Sequence, residues 1–145
     1  AESEAVASRA LLFEEFLAQE QAAGRLKLPL KAIGKKLLLH GHCHQKSFDA
    51  MGAVQQVLKL IPEAQLETVE TSCCGMAGSF GYDASHYEVS MKMAELSLLP
   101  KVRATPDALV VADGTSCRAQ IGHGAQREAL HVARVLEMAL AGAAV

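Results

Sequence analysis

Tryptophan is missing from this chain, and two tyrosines and four phenylalanines are all its benzenoid aromatics. With a net charge of -2 and no run of Lys and Arg interleaved with aromatics, it carries no basic footprint for nucleic acid. No apolar run approaches the ~20 residues that a membrane span needs. The opening segment also lacks the basic-then-apolar layout of a signal peptide. These absences predict a soluble, cytoplasmic protein. Cysteine is sparse too, with four in 145 residues. A chain that is 50% apolar can build one well-buried core without staples, so the cysteines do not read as a secreted disulfide framework. Reduced thiolates that hold a metal are the better reading.

What is present is a repeated unit. Val6, Ala10, Phe13 and Leu17 recur at helical spacing with Glu14, Glu15 and Glu20 facing away, which predicts an N-terminal helix over residues 1–24 stopped by Gly24. The first residue is Ala1 and the helix starts at once, as in a piece of a longer polypeptide. Strands are predicted at Lys35–His40, Gln65–Glu70 and Ala108–Ala112. Helices are predicted at Ala50–Ile61 (ended by Pro62), Ser85–Leu99 (ended by Pro100) and about Arg127–Leu140. Strands alternating with helices predict one α/β domain over residues 35–145, a small open and mainly parallel sheet flanked by helices. The last helix confines Arg127, His131, Arg134 and Glu137 to one narrow stripe, so most of its circumference should be buried.

Each predicted strand runs into a cysteine. After the first comes His40-Gly41-His42-Cys43-His44-Gln45-Lys46, after the second Thr71-Ser72-Cys73-Cys74-Gly75-Met76-Ala77-Gly78, and after the third Asp113-Gly114-Thr115-Ser116-Cys117-Arg118. In an open parallel sheet, ligands bind in the crevice at the carboxyl ends of the strands, so Cys43, Cys73, Cys74 and Cys117 should meet in one pocket. Four thiolates suffice for a [4Fe–4S] cluster, a [2Fe–2S] cluster or a tetrahedral Zn²⁺. Gly75 lets the backbone approach such a centre and leaves an amide N–H for sulfur. His42 and His44 are candidates to touch the cofactor directly or through hydrogen bonds. In an extended backbone, however, His40, His42 and His44 would all face away from Cys43.

Other readings of the same residues remain open. Cys73 and Cys74 could form a vicinal disulfide, or a cysteine could act as a nucleophile with His42 or His44 as base. Gly75, Gly78 and Gly81 suggest a phosphate loop, but neither the dinucleotide spacing nor a Walker lysine accompanies them. A structural or regulatory zinc domain is the main alternative to electron transfer.

The quoted segments resemble the cysteine-rich "CCG" domain found in heterodisulfide reductase, in the iron–sulfur subunit of glycolate oxidase and in anaerobic glycerol-3-phosphate dehydrogenase. Cys73-Cys74-Gly75 is the element that gives the family its name. The wording looks most like the carboxyl-terminal end of FAD-linked oxidase and iron–sulfur oxidoreductase fusions. The resemblance implies an iron–sulfur electron-transfer domain, with 4Fe-4S the expected cluster, in an enzyme acting on a 2-hydroxy acid or glycerol phosphate. FAD would then lie elsewhere in the holoenzyme. The implied partners are flavin-binding and ferredoxin-like domains or subunits, at the inner face of the membrane where such subunits place it. Self-association of the isolated domain is expected. One position departs from the family pattern: the closing Cys-x-x-Cys is here Cys117-Arg118-Ala119-Gln120, so a five-cysteine set is not available.

Overall fold

A computed structural model describes residues 2–71 and 73–141. Ala1, Ser72 and the end of the expected domain, residues 142–145, lie outside the described residues. Four strands, β1 (Leu37–Leu39), β2 (Leu66–Thr68), β3 (Leu109–Val111) and β4 (Ala129–Leu130), form one sheet in the order β2-β1-β3-β4, with every pairing parallel. The three expected strands fall inside their predicted spans. β4 occupies residues expected to begin the last helix, and two strand residues are too few to show alternation.

Strand parity divides the core. Leu37, Leu39 and Val111 pack to one side of the sheet with Val54, Val57, Val135 and Leu136. Leu38, Val110 and Ala112 pack to the other with Leu98, Val102 and Ile121. The central strands are buried on both faces, which explains their unbroken apolar runs. Eight α-helical segments occur among the described residues: α1 (Glu2–Ala7), α2 (Phe13–Ala22), α3 (Cys43–Ser47), α4 (Met51–Leu58), α5 (Tyr87–Glu95), α6 (Leu98–Ala104), α7 (Thr115–Ala125) and α8 (Val132–Ala141). α4 and α8 cover the first face, while α6 and α7 cover the second.

Several helix boundaries differ from expectation for identifiable reasons. The single helix over residues 1–24 is two helices, with Leu12 extended at the start of α2 and its N–H bonded to the Glu15 carboxylate at 2.8 Å. Val6 is exposed, whereas Glu14, expected to face away, is buried at 3% exposure. Pro100 does not end a helix; it lies in the first turn of α6, where its missing N–H would have no partner in the helix anyway. α7 was not expected, because its apolar positions are few. Arg127 precedes β4 rather than sitting on the last helix, and its guanidinium donates to the Thr105 and Ala108 carbonyls at 3.2 and 2.6 Å. α8 buries Val132, Val135, Leu136 and Ala139 on one face and leaves Arg134, Glu137 and Leu140 exposed, so less of its circumference is covered than expected.

Candidate metal centre

Chain order and sheet order diverge at one place, between β1 and β3. The connection from β1 leads outward to β2, and that from β3 leads outward to β4. Right-handed crossovers in opposite directions place α4 and α7 on opposite faces and open a crevice at the carboxyl ends of β1 and β3. The cysteines come to this switch point. Cys43 opens α3 directly after β1, Cys117 lies in the first turn of α7 after β3, and Cys73 and Cys74 follow β2.

None of the four cysteines is disulfide-bonded, so the vicinal disulfide is not formed. Cys74 and Cys117 are buried, with their sulfurs 3.4 Å apart. The Cys117 thiol donates to Cys74, which holds Cys74 down at about 4 and pushes Cys117 well above the ordinary thiol range. This pair thus retains one proton, carried by Cys117, that a metal would have to displace. Cys43 and Cys73 are half-buried. Burial, a hydrogen bond with Cys73 and the charges of Cys73 and Cys74 raise the Cys43 thiol. Cys43 and Cys73 both contribute to the field at Cys117, so all four sulfurs share one electrostatic environment.

The glycines explain how a backbone fits there. Gly75 has φ +90°, and a Cβ on it would lie 2.1 Å from the Ser90 carbonyl oxygen; its own N–H donates to the Cys73 sulfur at 3.3 Å. A Cβ on Gly114 would meet the His42 ring at 2.4 Å and the Cys117 sulfur at 3.0 Å, so the imidazole packs beside the thiols only because this loop is bare.

The histidines are sorted differently from the sequence expectation. The strand does not continue past His40. His42 caps α3, with its Nδ1 accepting the His44 N–H at 3.2 Å, and the turn carries Cys43 out of strand alternation. Burial and the neighbouring His44 lower the His42 pKa. His44 is exposed, its ring set edge-on to His42 at 5.0 Å. His40 is fully buried, on the same side of the sheet as Leu38, and one of its ring nitrogens reaches within 4.8 Å of the Cys74 and Cys117 sulfurs. Strand parity with Leu38 was the available signal for this placement; the expectation that continued the strand through His44 obscured it.

Gln120, one helical turn beyond Cys117, is buried too. Its amide nitrogen donates to the Cys74 carbonyl at 3.0 Å, to Ser90 Oγ at 3.0 Å and to the Ser90 carbonyl at 3.2 Å. It therefore ties the cysteine loop to α5 and α7. Asp113 braces the other flank. One carboxylate oxygen accepts from Gln45 Nε2 at 2.6 Å and the other from the Val132 N–H at 3.0 Å, while Gln45 Oε1 accepts the His42 N–H at 3.0 Å.

Glu14, Asp113 and His131 form a second titratable cluster nearby, with ligand atoms within 4.8 Å of one another. Its tautomer argues against a cation. His131 Nδ1 accepts the Ala133 N–H at 3.1 Å, so Nε2 carries the proton and faces Asp113 Oδ1 at 3.5 Å. A neutral imidazole in that state has no lone pair left for a metal.

The donor set of the cysteine crevice suits soft thiolate chemistry: four reduced sulfurs, an amide N–H directed at one of them, and a buried imidazole against Cys74. Fold and site together define a small doubly wound α/β domain with a thiol crevice at its switch point, and its relatives are oxidoreductases. The chain is 29% identical over 114 residues to the C subunit of anaerobic glycerol-3-phosphate dehydrogenase from Escherichia coli (strain K12), across 79% of this chain and 28% of that protein. It is 34% identical over 113 residues to D-2-hydroxyglutarate dehydrogenase of the same strain, across 75% of this chain and 11% of that one. The D-2-hydroxyglutarate dehydrogenase of Haemophilus influenzae is 28% identical over 118 residues, with 77% and 11% covered. The chain thus spans well under half the length of these curated relatives. No family model matches it, and no solved structure does. No helix among the described residues is long and apolar enough to cross a membrane.

Proposed function

We propose that this chain is an iron–sulfur electron-transfer domain of a flavin-linked dehydrogenase that acts on a 2-hydroxy acid or glycerol phosphate. The observation that carries the reading is the convergence of four reduced cysteines, from the ends of three parallel strands, at the switch point of the sheet. Cys43, Cys73, Cys74 and Cys117 would hold the cluster, a [4Fe–4S] in the first instance. A bound cluster supplies one-electron exchange. The chain's own part is to furnish thiolates, aim the Gly75 N–H at the Cys73 sulfur and keep water away with buried Met76 and Ile121. Hydrogen bonds to sulfur and burial are the levers by which a protein sets a cluster potential.

His44 sits on the outer rim beside Phe48, where it would meet a partner, whereas the His42 ring lies against Gly114 next to the Cys117 sulfur, where it would touch the cofactor. Flavin, substrate site and the next redox centre would belong to other domains or subunits, because the dehydrogenases to which this chain is similar are several times its length. Anaerobic reconstitution with iron and sulfide should give visible charge-transfer absorption that bleaches on reduction. A Cys73→Ser/Cys74→Ser variant should not. Equal colour in both proteins would reject the cluster, and one equivalent of tightly held zinc with no iron would make the domain a zinc module.

A further inference from the structure

We infer that His40 is a nitrogen ligand of this metal centre, supplying the donor that Gln120 cannot. This rests on the proposed cluster and specifies its ligand set. His40 follows β1 directly, is 0% exposed, and the partner its imidazole engages is the Cys74 sulfur, with no nitrogen or oxygen group hydrogen-bonded to either ring nitrogen. One nitrogen of this imidazole has no partner and the other meets only cysteine sulfur, an arrangement that a metal held by the same sulfurs would complete. The only soft donors within 4.8 Å of its nitrogens in that cluster are the sulfurs of Cys74 and Cys117, the most buried pair of the site.

Gln120 stands where a closing Cys-x-x-Cys would place its second sulfur, and its amide nitrogen is committed to Ser90 and the Cys74 carbonyl. The crevice therefore holds four sulfurs and one buried imidazole in place of five sulfurs. The ring nitrogen that faces the sulfurs can present its lone pair to a metal while the other keeps the proton. A neutral imidazole in place of a thiolate removes one negative charge from the centre, and that raises its reduction potential.

The test uses this chain reconstituted anaerobically, unlabelled and with 15N-histidine, and reduced to its paramagnetic state. Pulsed EPR should show a strong nitrogen coupling of directly ligated imidazole that changes from 14N to 15N with the label. It should vanish in His40→Ala, while His40→Cys should keep the cluster and lower its midpoint potential. A cluster without ligand-strength nitrogen coupling, or one whose coupling survives in His40→Ala, overturns the ligation and leaves the electron-transfer reading standing. If the His40 variants fail to fold, the isotope comparison is made in His42→Ala, where a ligand-strength coupling that persists supports His40 and one that disappears overturns it. Should no cluster assemble, Co²⁺ reads the same pocket. A paramagnetically shifted, exchangeable imidazole N–H resonance from His40 would support ligation while the cluster reading falls, and a cobalt spectrum of thiolates alone, or no cobalt uptake, would overturn both.

Discussion

Replacing Glu14 by Gln should remove a pH-dependent loss of stability. Glu14 is almost inaccessible to water, Oε1 has no partner, and burial followed by the nearby Asp113 raises its carboxyl from 4.5 to about 7. Between those two values the folded chain binds a proton that the unfolded chain does not. Stability therefore falls as pH rises through the window and levels off above it. At about 1.4 kcal/mol per pH unit, ionising Glu14 costs the fold about 3 kcal/mol by pH 8. Glutamine keeps the shape without the charge.

Urea unfolding of both proteins, under reductant and without metal, should give a stability difference that moves by about 3 kcal/mol toward the variant between pH 4.5 and pH 8. At the melting midpoint this corresponds to roughly 6–12 °C. Other groups act in the opposite sense: His42, whose pKa is lowered, and Cys74, held at about 4, both add stability as pH rises. They are common to both proteins and cancel in the difference. Parallel pH profiles would show that Glu14 titrates normally and that its burial has no electrostatic cost.

Gly75→Ala should destabilise the chain by about 1–3 kcal/mol or more, since a positive φ and a Ser90 carbonyl 2.1 Å from the new Cβ both oppose it; chemical denaturation reads the loss, and an unchanged midpoint would contradict the close approach. Gln120→Ala leaves the Ser90 hydroxyl without its amide donor inside the core and should cost about 1–3 kcal/mol in the same assay. In the metal-free chain, half-buried Cys43 and Cys73 should alkylate before buried Cys74 and Cys117 despite the low pKa of Cys74, and peptide mass mapping over time would show the order. Leu38→Ala, at a fully buried site on a central strand, should cost about 2–5 kcal/mol without altering metal uptake per folded molecule.

The sequence by itself settled the α/β class and the location of the thiols. Leu37–Leu39 and Leu109–Val111 are apolar runs too short for helices, and each is followed within a few residues by a cysteine, so the strand ends and the chemistry were written in adjacent letters. Local pattern could not supply what depends on partners distant in the chain. Ala129–Leu130 is a strand only because β3 offers a neighbouring edge, and α7 is a helix although its own amphipathic signal is weak. Glu14 reads as a solvent-facing carboxylate until α2 is seen against Asp113. The role of His40 turns on where β1 stops: once His42 caps α3, Cys43 leaves the strand, and His40 is the histidine turned toward Cys74 and Cys117. Period and spacing are local properties of the chain, whereas which buried side chain lacks a partner is fixed only when every element has docked.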